Sequence, residues 1–127
     1  MAAVSSPSIL IVDDEPMIRR FLRLLLEQSG FAVLDAGDGI EALSVFQLHQ
    51  DSIRLVLTDV LMPEMNGPKL VDHIRRIDPG IPILFISAYC ETLSSAMKDI
   101  ECLPKPFLPD ELVQKVQQAV ESHASLR

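Results

Sequence analysis

No apolar run in this chain approaches the ~20 residues that a membrane-spanning helix needs. Its first residues, Met1-Ala-Ala-Val-Ser-Ser-Pro7, lack the charged and apolar regions of a secretory signal. Cysteine is scarce: Cys90 and Cys102 are the only two, in no metal-binding or redox spacing. That argues for separate, inert thiols packed as small apolar groups in a reduced, cytoplasmic setting. Positive charge is short as well. Lys and Arg number 11 against 18 Asp and Glu, a net charge of −7, the wrong sign for a surface that binds nucleic acid directly. There is no repeat or low-complexity tract to suggest an array or a linker. The histidines His49, His73 and His123 fall on separate predicted helices, which makes them surface or half-buried residues and not a metal centre.

What is present fits one compact domain spanning residues 1–127, with its core over about 8–122: a chain of 127 residues, 48% hydrophobic, can bury an ordinary core without staples. Apolar segments end in polar residues five times. Ser8-Ile-Leu-Ile-Val12 runs into Asp13-Asp14, and Leu55-Val-Leu-Thr58 into Asp59. Ile81-Pro-Ile-Leu-Phe-Ile86 stops at Ser87, and Ile100-Glu-Cys-Leu103 leads to Lys105. The remaining strand, 31–36, is followed by Gly37-Asp-Gly39. Helical spacing fills the intervals. Pro16 opens a helix over 16–28 that buries Ile18, Phe21, Leu22 and Leu25 and stops at Gly30. Further helices are predicted over 40–49, 68–76 and 109–123, the last with Asp110 and Glu111 at its positive end. Strands this apolar are buried on both faces, as in a parallel sheet. Strand–helix alternation implies right-handed crossovers, hence an α/β fold, a three-layer α/β/α sandwich with a five-stranded parallel sheet; five strands suit the flavodoxin-like order 2-1-3-4-5.

In such sheets ligands bind outside the carboxyl ends of the strands. Asp13, Asp14, Asp59, Ser87 and Lys105 would all meet there. Carboxylates so gathered repel by roughly 4 kcal/mol per pair at 4 Å and an effective dielectric of 20, so the cluster calls for a cation. Each residue alone has a plainer reading. The acidic pair could cap the helix at Pro16, Ser87 could be an ordinary strand-end hydroxyl, and Lys105 a solvated lysine. Their convergence on one edge favours a site. Met62 and Met65 read as packing residues beneath the loop after Asp59, Gly67 as a backbone requirement, and Asp35 and Asp38 as peripheral.

Asp13-Asp14, the run Asp59-Val-Leu-Met-Pro-Glu-Met-Asn-Gly67, Ser87-Ala88 and Lys105-Pro106-Phe107 together resemble the receiver domains of two-component response regulators, over nearly the whole chain. The resemblance implies that Asp59 is the phosphoacceptor, taking a phosphoryl group from the phosphohistidine of a histidine kinase or histidine phosphotransfer domain. It implies Mg²⁺ bound by Asp14, Asp59 and the Leu61 backbone carbonyl, with Asp13 acting through water. It implies that Lys105 pairs with the phosphoryl oxygens, that Ser87 hydrogen-bonds one of them, and that small Ala88 leaves the group room. It further implies a cis Lys105–Pro106 peptide, and it makes Leu61 and Tyr89 the positions that govern water attack; neither suits that task, so self-dephosphorylation should be slow.

Two departures stand out. The interval from Ser87 to Lys105 is about one helical turn shorter than the family usually shows, so its helix should be short, irregular or mobile. Cys102 stands where the family carries an aromatic ring, so phosphorylation would be read through another face, or the protein would serve mainly as a phosphoryl carrier. Two other readings compete with a switching or relaying phosphoacceptor. A Mg²⁺-dependent phosphatase or phosphotransferase of the haloacid-dehalogenase type needs a second Asp two residues after the first, where this chain has Leu61. A degenerate receiver would act only as a protein-interaction module. A free-standing regulator and a receiver excised from a hybrid kinase or larger regulator share this pattern.

Overall fold

Ile9 and Ile11 pack on one side of the sheet and Leu10 and Val12 on the other, none more than 1% exposed. This alternation of buried side chains fits an interior strand covered by helices on both faces. The computed structural model describes residues 7–125; residues 1–6, which include most of the segment read as lacking a secretory signal, and 126–127 lie outside it. Its elements are β1 (Ser8–Val12), α1 (Pro16–Gln28), β2 (Ala32–Ala36), α2 (Gly39–Leu48), β3 (Ile53–Asp59), α3 (Gly67–Ile77), β4 (Ile83–Ser87), β5 (Cys102–Pro104) and α4 (Pro109–Ser125). All strand pairs are parallel, as the alternation of elements predicts, and the order is β2-β1-β3-β4-β5, the flavodoxin-like order expected for five strands.

Helices cover both faces. Leu22 and Leu26 of α1 and Leu112 and Val116 of α4 meet Ile9, Ile11, Leu57 and Ile86. On the opposite face Ala42 and Phe46 of α2 and Leu70 and Ile74 of α3 meet Leu10, Val12 and Val56. Each fully buried Leu, Ile or Phe contributes roughly 1.5–3 kcal/mol, so the two layers hold the sheet from either side. Local signals end the elements where expected. After α1, Gly30 takes φ 97, with Gly30 N–H on the Glu27 carbonyl and Phe31 N–H on that of Leu26, the paired bonds of a glycine-terminated helix. Asn66 caps α3 by accepting the Lys69 N–H at 2.9 Å.

Two strands start two residues later than the sequence predicts, and β2 one residue later, at Ala32. β4 begins at Ile83 because Pro82 has no N–H to give the ladder. β5 begins at Cys102 because the Ile100 N–H is spent on the Met97 carbonyl. Between these strands the expected short, irregular helix is two 3₁₀ turns, Cys90–Thr92 and Ser95–Met97. Leu93, Met97 and Ile100 anchor the connector by packing on Phe85 and Val71.

The cysteines correct the sequence reading. Instead of two inert thiols, Cys90 and Cys102 form a disulfide, with Cα atoms 5.8 Å apart. The physical reason is the connector's path. Leaving β4, the chain turns back over the neighbouring parallel strand β5, so residues 12 apart in sequence come face to face. His49 is exposed and His73 half-buried, as expected, while the His123 side chain lies outside the described residues.

Candidate functional site

Strand register assembles the site. Val12 pairs with Thr58, so Asp13 and Asp59 emerge side by side one residue later. Asp59 pairs with Ile86, which brings Ser87 to the same edge, and Ser87 pairs with Pro104, which delivers Lys105. The structure thus brings together every residue that the sequence assigned to the site. Asp14, Asp59, Leu61, Ser87, Ala88, Tyr89 and Lys105 line one cavity of about 370 Å³, with Glu15 beside them. Asp13 lies beneath it, only 1% exposed.

Lys105 ties the cluster together. Its Nζ lies 3.2 Å from Asp13 Oδ2 and 3.2 Å from Asp59 Oδ2. The second oxygens are held by backbone: Asp59 Oδ1 accepts the Val60 N–H at 2.7 Å, and Asp13 Oδ1 accepts the Glu15 N–H at 2.9 Å. Asp13, Asp14 and Asp59 each offer an oxygen within 4.8 Å of the others. One ammonium faces three carboxylates, and the hard oxygen donors fit Mg²⁺, which takes few carboxylates and keeps several waters. Ser87 is fully buried, with its Oγ accepting the Tyr89 N–H at 2.9 Å. The Lys105–Pro106 peptide is cis, as expected.

The loop after Asp59 is shaped by close packing. A Cβ on Gly67 would lie 2.2 Å from the Asp59 carbonyl oxygen, and the Gly67 N–H donates to the Val60 carbonyl at 2.8 Å. Gly67 is needed because the backbone passes so close, not for an unusual φ. Met62 and Met65 pack half-buried beneath the loop. Asp35 pairs with Arg23 at 2.7 Å, and Asp38 caps α2, so both stay outside the site. Glu15 is the lining residue that sequence reasoning missed; its signal was a third consecutive acid after the Asp pair.

Burial raises the pKa of the Asp13 carboxyl, helped by the neighbouring Asp59 charge and opposed by the Glu15 N–H and Lys105. For Lys105, burial pulls the ammonium down, but the charges of Asp13 and Asp59 outweigh it and the net shift is upward. A carboxyl raised in the folded state favours folding most below the ordinary carboxylate range, and that contribution is lost as pH rises through the folded value. Asp13→Asn, measured by denaturant unfolding in chelator, should therefore stabilise the fold by about 1 kcal/mol at pH 7. The gain should shrink as pH falls through that window and vanish in acid.

The family model described as the response regulator receiver domain matches residues 9–117. The chain belongs to the response-regulator receiver family. This receiver is 34% identical to the response regulator receiver protein CpdR of Brucella abortus, over 87% of its own length and 93% of that protein's. It is 32% identical to the sensor kinase CckA of the same organism, covering 91% of the chain but 13% of the kinase. Among solved structures it superposes on the response regulator TrrA of Thermotoga maritima, in complex with Mg²⁺ and BeF, with TM-score 0.80 and 33% identity. That match covers 89% of this chain and 98% of TrrA.

Proposed function

We propose that Asp59 accepts a phosphoryl group from the phosphohistidine of a histidine kinase or histidine phosphotransfer domain, and that the receiver switches or relays a two-component signal. The observation that carries this reading is Lys105 Nζ set 3.2 Å from the carboxylates of both Asp13 and Asp59, at the wall of an open cavity. Phosphoryl transfer depends chiefly on positioning and charge neutralisation, and the site offers both. Asp59 Oδ2 attacks phosphorus, the bond from phosphorus to the imidazole nitrogen breaks, and its electron pair leaves with the ring. Lys105 then pairs with the phosphoryl oxygens. The Ser87 hydroxyl turns to donate to one of them, and Ala88 keeps the entry open.

Asp14, Asp59 and the Leu61 carbonyl would hold Mg²⁺, with Asp13 acting through water; when bound, the ion supplies the positive charge that one lysine cannot. The carboxylates, ammonium and ion then balance, and phosphorylation leaves an excess of about one negative charge, which biases the surrounding loops. A groove of about 460 Å³ adjoins the cavity, sharing Ala88 and Lys105 and adding Ile18, Phe21, Pro106 and Phe107. It offers the phosphodonor an apolar seat beside Asp59. A cytoplasmic setting suits such a donor, and no helix among the described residues is long and apolar enough to cross a membrane.

The expected behaviour is acceptance without turnover. With acetyl phosphate and Mg²⁺ the receiver should gain one phosphoryl group per chain, lose the gain with chelator, and show none as Asp59→Asn. The label should decay slowly, over many minutes, because the half-exposed side chains of Leu61 and Tyr89 are not suited to guiding a hydrolytic water. Continuous phosphate release would mark a haloacid-dehalogenase-type enzyme, and no labelling at all a degenerate interaction module.

A further inference from the structure

The disulfide ends beside the one hydroxyl the switch must move. Cys102 pairs in register with Phe85, two residues before Ser87. Cys90 Sγ lies 3.5 Å from the Ser87 carbonyl oxygen, which also accepts the Lys105 N–H at 3.0 Å. Only Ala88 and Tyr89 separate Ser87 from Cys90, and the Tyr89 N–H is bonded to Ser87 Oγ at 2.9 Å. While Cys90 is joined to Cys102, this short turn is fixed at one end by the β4–β5 ladder and at the other by a covalent bond to β5. A reorientation of Ser87 that shifts Tyr89 has little chain to draw on.

We propose that the Cys90–Cys102 pair is a redox-sensitive clamp on the turn that carries Ser87. The disulfide holds the unphosphorylated arrangement, and reduction to two thiols releases it. The inference rests on the phosphoacceptor reading of Asp59 and adds a second input to that site. Both cysteines are half-buried and not sealed in the core, within reach of an attacking thiolate, and accessible disulfides are the labile ones. The co-reactant is a dithiol reductant. Its thiolate attacks one sulfur to form a mixed disulfide, and its second thiol then displaces the chain. Two electrons and two protons end on Cys90 and Cys102, while the reductant leaves as its own disulfide. A ligand shifts such an equilibrium only by its differential affinity for the two arrangements, so the clamp should weaken binding of a phosphoryl mimic that needs Ser87 turned inward.

The test compares the full chain oxidised with glutathione disulfide and reduced with dithiothreitol. Reactive thiols should count none and two. Amide exchange over residues 88–101 should be faster in the reduced form. Fluoroberyllate with Mg²⁺ should bind the reduced form about tenfold more tightly, within the usual range of coupling between sites. The Cys90→Ser/Cys102→Ser chain should match the reduced form in both buffers. Thiols that stay free under oxidant, or equal affinity in the two forms, would overturn the clamp; equal affinity with altered exchange would make the disulfide a plain structural staple. If neither form binds fluoroberyllate or takes phosphate, the reading of Asp59 fails separately. Exchange then decides whether the turn is clamped at all, and equal exchange overturns that too.

Discussion

Lys105→Met should leave a folded receiver that takes phosphate from acetyl phosphate about 10²–10³-fold more slowly, the usual loss when one preorganised donor to developing negative charge is removed. Methionine keeps most of the apolar stem but supplies no ammonium within 3.2 Å of Asp13 and Asp59. The same change leaves the buried Asp13 carboxylate beside Asp59 with no cation, so chelated protein should also be less stable than wild type. Added Mg²⁺ should restore more stability to the variant than to wild type, because the ion then cancels charge that nothing else does. Initial labelling rates and unfolding midpoints with and without Mg²⁺ check both halves. An unchanged rate would remove Lys105 from the chemistry.

Gly67→Ala should be the most damaging single methyl group in the molecule. Its Cβ would meet the Asp59 carbonyl oxygen at 2.2 Å and the Val60 Cα at 3.1 Å, both backbone atoms that cannot rotate away. Either α3 or the end of β3 must shift, at a cost of about 3 kcal/mol, the upper range for overpacking. Displacing β3 also moves Asp59 from Lys105, so labelling should fall with stability. By contrast Gly30, with nothing within 4 Å of an added Cβ, should penalise Ala only through its φ of 97. Equilibrium unfolding of the two variants separates crowding from backbone preference, with Gly67→Ala the more destabilised.

Much of this molecule was readable from its residues because the signals are local and repeat. Ser8–Val12 and Ile53–Asp59 are apolar enough to require burial on both faces, and that alone implies parallel strands with helices on either side. The alternation of elements required a doubly wound sheet, and the order 2-1-3-4-5 was the one that five strands suit, not one that any residue dictates. The site was readable because each strand ends abruptly in a polar side chain, and parallel register then does the assembly. What escaped the sequence depends on the path of irregular chain. The connector between β4 and β5 has no period to read, so neither its 3₁₀ turns nor the meeting of Cys90 with Cys102 could be placed. The start of β5 shifted because one backbone N–H was taken by a turn.

Chemical trapping tests the central claim most directly. After brief exposure to acetyl phosphate and Mg²⁺, borohydride reduces an acyl phosphate to the alcohol, converting a phosphorylated aspartate to homoserine that peptide sequencing by mass spectrometry can place. Homoserine at position 59 alone is the predicted result; homoserine at Asp13 or Asp14, or stable phosphate on a histidine with position 59 unmodified, would contradict it.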